Sequence, residues 1–158
     1  MANYGVIDLG SNSVRLVIFD VKDGISKKRP ITCKDFRSII NDKVMAGLSA
    51  YVDAGEFTPE GIARAVDVLS GHLKRARYFN CVRTDIFATA VLRNCANSRE
   101  AISAIEQAIG APVNLLSARD EAHLSFTGAS CDRAIEKGTV VDLGGGSTEL
   151  TRVEGGCD

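Results

Sequence analysis

Val6-Ile-Asp-Leu-Gly-Ser-Asn-Ser-Val-Arg-Leu16 and Val140-Val-Asp-Leu-Gly-Gly-Gly-Ser-Thr-Glu-Leu150 are one pattern written twice. Without gaps, Val, Asp, Leu, Gly, Ser and Leu fall in the same places. An internal repeat of this kind governs how the rest of the chain is read. Each copy runs an apolar strand into an acid, a tight turn and a returning strand. Glycine lets such a turn approach a ligand closely, and successive backbone N–H groups in it form a concave site for an anion. Asp8 and Asp142 stand where strand gives way to turn, a place suited to carboxylates that hold a metal or its waters.

Working outward, the first copy is a hairpin, and the Asp23-Gly24 turn after it leads to a third strand expected within 25–40. The trio Lys27-Lys28-Arg29 with Pro30 could contact a polyanion, but reads more simply as a charged strand edge that resists pairing. Residues 41–57 show little periodicity and read as a loop. Thr58-Pro59-Glu60 opens a helix with an N-cap, a proline at the first helical position and an early acid. Ile62, Val66, Leu69 and Leu73 form its apolar stripe. A strand is expected at 84–89. Ser98 reads as the cap of a second helix with Ile102, Ile105 and Ile109 inward, ended by Gly110 and Pro112. After a short strand at 113–116, Ser117 and Asp120 resemble a capping box for a helix over about 119–132. A strand at 139–143 then opens the second copy of the repeat.

This order predicts an α/β, ribonuclease-H-like lobe over 1–135, with a mixed five-stranded sheet and flanking helices. The opening strand-loop-strand of a second such lobe occupies 136–158. The 158 residues suit one domain of ordinary size, 45% hydrophobic and 25% charged, as expected of a soluble globular chain. A net charge of −1 gives no global attraction to nucleic acid or membrane, so neither is expected as a partner. No long apolar segment suggests a membrane span. The cysteines Cys33, Cys81, Cys95, Cys131 and Cys157 are odd in number and lack metal spacing. They read as reduced thiols, and the expected location is cytoplasmic. His72 and His123 are the only histidines and read as surface or helix-face residues.

Two facing anion loops, each preceded by an aspartate, are what phosphoryl transfer requires: donors around the transferred group and carboxylates for Mg2+. A lone glycine turn would be weak evidence, and Gly144-Gly-Gly146 alone could be a tight hairpin. Glu149 shares a strand face with Ser147 and reads equally well as a metal or water ligand and as an exposed glutamate. Glu121 sits in the first turn of its helix, where an anion is favoured. Capping is its simpler role, and orienting a water for attack the functional one. Arg93 and Arg15 are candidate phosphate-binding cations because guanidinium grips two oxygens at once. A surface role competes for Arg15.

The segments VIDLGSNS at 6–13, GEFTPEGI at 55–62, ATAVLRNCAN at 88–97, LSARDEAHLSFTG at 116–128 and VVDLGGGSTEL at 140–150 together resemble the exopolyphosphatase and guanosine pentaphosphate phosphohydrolase family. The resemblance implies two ribonuclease-H-like lobes of the actin, sugar kinase and Hsp70 superfamily with a phosphate cleft between them. It implies hydrolysis of phosphoanhydrides, with polyphosphate or guanosine pentaphosphate as substrate and Mg2+ as cofactor. By position, Glu121 matches the catalytic base, while Asp142, Glu149 and Asp8 match the metal and water carboxylates. Arg93 matches the phosphate-binding arginine. Asn12 and Ser13, with Gly144, Gly145, Gly146 and Ser147, match the two phosphate loops. Ala118 and Arg119 replace a Gly and a Glu common in the family.

Two other readings remain open: a non-catalytic module that binds phosphate or polyphosphate, and an ATPase or kinase of the same superfamily. The hairpin at 139–154 is expected to expose an apolar face. Either the chain is a fragment of a longer protein, or that face docks on the first lobe or on a second copy as a homodimer.

Overall fold

A computed structural model describes residues 1–22, 32–132 and 134–155. The Asp23-Gly24 turn and the 27–30 charged edge lie outside them. Strands β1 (Ala2–Leu9), β2 (Ser13–Val21) and β3 (Phe36–Met45) form an antiparallel meander. A 3-10 turn at Leu48–Tyr51 and a small hairpin, β4 (Val52–Asp53) with β5 (Glu56–Phe57), lead into α1 (Pro59–Tyr78). There follow β6 (Cys81–Ala88), α2 (Ala90–Arg93), α3 (Ser98–Ile109), β7 (Asn114–Leu115) and α4 (Ala118–Ser130). Strands β8 (Lys137–Leu143) and β9 (Thr148–Glu154) close the described chain.

The main sheet has five strands in the order β3-β2-β1-β6-β7, with β6 parallel to both β1 and β7. Antiparallel and parallel pairing in one sheet is the mixed architecture that the sequence implies. Alternation puts Ile7, Leu9, Val14, Leu16 and Ile18 on one fully buried face. Onto it packs α1 through Ala65, Leu69 and Leu73, and α3 packs on α1 through Ala101 and Ile105. The Thr58 side chain accepts from Gly61 N at 3.2 Å with Pro59 at the first helical position, and Gly110, at φ 68°, ends α3.

Several local expectations are corrected. The third strand lies at 36–45, so its second half occupies the stretch read as loop; polar Arg37, Ser38, Asn41 and Asp42 on an edge strand hide its pattern. Asn97, not Ser98, is the N-cap residue of α3. The Asn97 side chain instead accepts from Phe57 N and donates to Phe57 O, both at 2.9 Å, pinning β5 to the start of α3. The Ser98 hydroxyl is buried without a partner among the described residues. His72 does lie on a helix face, that of α1, but is buried rather than on the surface: its Nε2 lies 3.3 Å from Val14 O and its Nδ1 3.4 Å from Asp42 Oδ2, which satisfies the polar ring. Cys33 and Cys131 are not thiols but a disulfide, with Cα atoms 5.9 Å apart across 98 residues of sequence. Such a distance is ordinary for a bridge, and nothing in the spacing reveals it.

The pair β8–β9 forms its own two-stranded sheet and packs on α4. Its other face stays open, with Val141, Leu143 and Leu150 exposed.

Candidate active site

The repeat in the sequence is a repeat in space. Gly10 N donates to Ser13 O at 3.2 Å, and Gly144 N donates to Ser147 O at 2.9 Å, so both copies close the same turn. The first turn is buttressed from the 3-10 segment: Gly47 N donates to Asn12 O, Ser49 N to Ser11 O, and Ser49 Oγ to Asn12 Oδ1 at 3.1 Å. The two turns then touch. A Cβ on Gly145 would stand 2.6 Å from Asn12 Nδ2, and one on Gly146 would stand 2.2 Å from Ser11 Oγ, so only glycine permits the approach. Among the described residues, Ser11, Asn12, Gly145 and Gly146 donate their backbone N–H groups to no protein acceptor. Donors left over in this way are the chemistry of an anion cradle.

Between the turns lies a cleft of about 480 Å³. Ser11 to Ser13 line one wall and Gly144 to Ser147 the other, and the carboxylates Asp8, Glu121, Asp142 and Glu149 converge on it. Every residue that the sequence singles out for the site lines this cleft except Arg93. That arginine stands behind Glu121: its Nη1 donates to Glu121 Oε2 at 2.6 Å and to Leu116 O at 3.1 Å, while Nη2 lies 4.0 Å from Glu149 Oε1. Glu149 is 8% exposed, so its reading as a surface glutamate is set aside.

Arg15 and Lys43 also line the cleft. Strand pairing sets Asp8, Arg15 and Lys43 in one row across β1, β2 and β3. Arg15 follows Ser13 on the same face by simple alternation, a signal present in the sequence. Lys43 was invisible there, because its place depends on the register of a strand read as loop.

Crowding of four carboxylates marks the electrostatics. Asp8 keeps surface open to the cleft, yet its pKa is raised above the ordinary 3.8. Desolvation is the largest cause, followed by the negative charge of Glu121; Arg15 pulls the other way and Asp142 adds to the rise. Arg15 and Lys43 in the cleft and Arg93 behind it face four acids, so a further positive charge would ease the entry of a polyanion. The donors are hard oxygens, as Mg2+ requires. Among the described residues, no three acidic, histidine or cysteine side chains stand close enough to form a ready-made metal site. Mg2+ keeps several waters and typically takes one or two carboxylates plus substrate phosphates, so the donor set fits it.

A mixed five-stranded sheet with flanking helices and paired glycine turns around an acidic cleft defines a ribonuclease-H-like α/β lobe. The chain belongs to the Ppx/GppA phosphatase family, whose model matches residues 17–156. It is 30% identical over 158 residues to exopolyphosphatase 2 of Mycobacterium tuberculosis, covering 95% of this chain and 48% of that protein. It is 31% identical to the guanosine-5'-triphosphate,3'-diphosphate pyrophosphatase of Vibrio cholerae, covering 96% of this chain and 29% of that one. The crystal structure of an exopolyphosphatase from Cytophaga hutchinsonii superposes with a TM-score of 0.80 at 25% identity, over 96% of this chain and 46% of that one. The chain thus spans half or less of the length of these relatives. Among the described residues, no helix is long and apolar enough to cross a membrane.

Proposed function

We propose that this chain forms the base-bearing side of the active site of a phosphoanhydride hydrolase. Its reaction releases orthophosphate from the end of inorganic polyphosphate, of guanosine pentaphosphate, or of both. The observation that carries this reading is the Glu121 carboxylate, held by Arg93 on the rim of a cleft between two matching glycine turns. The names of the relatives, exopolyphosphatase and guanosine pentaphosphate pyrophosphatase, supply the substrate class.

In this mechanism the free N–H groups of the two turns grip oxygens of the terminal phosphate. They act where negative charge shifts in the transition state and need no reorganisation to do so. Glu121 takes a proton from the attacking water, and Arg93 fixes the orientation of that carboxylate. Asp142 would hold Mg2+, with Asp8 or Glu149 joining it directly or through the waters of the metal. When bound, Mg2+ supplies the positive charge that lets phosphate oxygens enter among four carboxylates. Arg15 and Lys43 extend the positive rim toward the next phosphates of the chain.

The test is orthophosphate release from polyphosphate and from guanosine pentaphosphate with Mg2+, by the full-length protein and its Glu121→Gln variant. Loss of a general base is expected to slow release by about 10²- to 10⁴-fold while substrate still binds. Equal rates in the two proteins would remove Glu121 as the base. Binding without release by either protein would favour a phosphate-binding module.

A further inference from the structure

Ser125 lies one helical turn beyond Glu121 on α4, so the two side chains share a face. Its hydroxyl donates to Oδ2 of Asp142 in a close hydrogen bond. Asp142 lines the cleft and Ser125 does not, so the hydroxyl meets the carboxylate from behind. Packing alone does little to fix this contact, because α4 has no fully buried residue. Among the described residues, its other polar tie to the hairpin is the Thr151 hydroxyl, 3.4 Å from Ala122 O.

The four cleft carboxylates differ in their partners. Glu121 and Glu149 face Arg93, and Asp8 stands opposite Arg15 in the strand register, within reach of its charge but without an ion pair among the described residues. Asp142, among the described residues, is met by a neutral hydroxyl. A cationic partner would neutralise an acid and compete with any metal for it. A hydroxyl fills one lone-pair site of the carboxylate, fixes its rotamer and leaves its charge and its remaining oxygen sites available.

We propose that Ser125 is a positioning residue, which aims Asp142 at the cation and ties this strand-borne ligand to helix-borne Glu121. The inference rests on the reading above that Asp142 holds Mg2+. Residues that orient metal ligands from outside the coordination shell typically matter 10- to 100-fold for metal affinity or activity.

The test is calorimetric titration of Mg2+, with orthophosphate present, into the full-length protein and its Ser125→Ala, Ser125→Thr and Ser125→Val variants. Circular dichroism checks their folding, and orthophosphate release is measured in parallel. Threonine and valine match in shape and differ by the hydroxyl, so their comparison holds even if the alanine variant folds poorly. Ser125→Ala and Ser125→Val are expected to bind Mg2+ about tenfold more weakly, with Ser125→Thr near the parent. Equal affinity of the threonine and valine variants would overturn the inference. A parent protein that binds no Mg2+ would overturn both it and the metal assignment. A parent that binds Mg2+ but releases no phosphate would sink the hydrolase reading alone, with the threonine and valine pair still deciding the role of Ser125.

Discussion

Arg93 Nη1 lies 2.6 Å from Glu121 Oε2, a contact spanning 28 residues that joins the end of α2 to the first turn of α4. Both side chains are less than one-fifth exposed. The same nitrogen also donates to Leu116 O, so the guanidinium fixes where α4 begins as well as where its acid points. Lysine has one compact ammonium and lacks the planar fork that serves Glu121, Leu116 and Glu149 together. Arg93→Lys is expected to lower kcat/KM for phosphate release by on the order of a hundredfold, as for loss of one preorganised donor. Steady-state kinetics check this, and a change below twofold would show that the charge alone suffices.

Asp8 links the cleft to stability. Its folded-state pKa is raised above 3.8, by desolvation first and by the Glu121 charge second. The folded protein therefore holds this proton more tightly than the unfolded chain. Stability falls as pH rises from about 3.8 through the raised value and stays lower at neutral pH. Asp8→Asn carries no such penalty. The variant is expected to melt above the parent at pH 7, with the advantage shrinking as pH falls toward 3.8. Added Mg2+ should stabilise the parent more than the variant. Thermal melts across pH, with and without Mg2+, test both statements.

What was legible in the sequence was local or repeated. Gly10 and Gly144 close the same turn because the same residues surround them, and Thr58, Pro59 and Gly110 mark helix ends by their own conformational preferences. What was illegible depends on partners far along the chain. The burial of His72 rests on Val14 O and Asp42 from two other strands, and the place of Lys43 rests on β3 pairing with β2. Glu149 could be read as surface or site until Arg93 was set beside it. Ser98 looked like a cap because the distant contact of Asn97 with Phe57 leaves no local trace.

The contact of the two turns makes a sharp prediction at glycine. Gly146→Ala would place a methyl group 2.2 Å from Ser11 Oγ and 2.9 Å from Ser11 Cβ, so the turns must part. A shift near 1 Å in the site is expected to slow phosphate release about a hundredfold. Ser11→Gly combined with Gly146→Ala removes both clashing atoms and should recover part of the loss. Gly71→Ala is the control: nothing lies within 4 Å of the added carbon, and the residue sits inside α1. That change is expected to stabilise the protein by about 0.5–1 kcal/mol without altering release.

The Cys33–Cys131 bridge tethers the segment before β3 to the C-cap of α4, the helix that carries both Glu121 and Ser125. Closing a loop across 98 residues mainly restricts the unfolded chain, with a typical gain of about 2–4 kcal/mol. Reductant, Cys33→Ser and Cys131→Ser are each expected to lower the unfolding free energy by that amount, and combining any two should add nothing. Denaturant melts with and without dithiothreitol measure it; identical midpoints for parent and variants would show that the bridge does not form in solution. Because α4 has no buried residue, its hold among the described residues rests on its packing against the hairpin and on the ties of Arg93 to Glu121, Ser125 to Asp142 and Thr151 to Ala122. Reduction should therefore speed amide hydrogen exchange first in the last turns of α4, while α1, anchored by Leu69 and Leu73 in the core, keeps its protection.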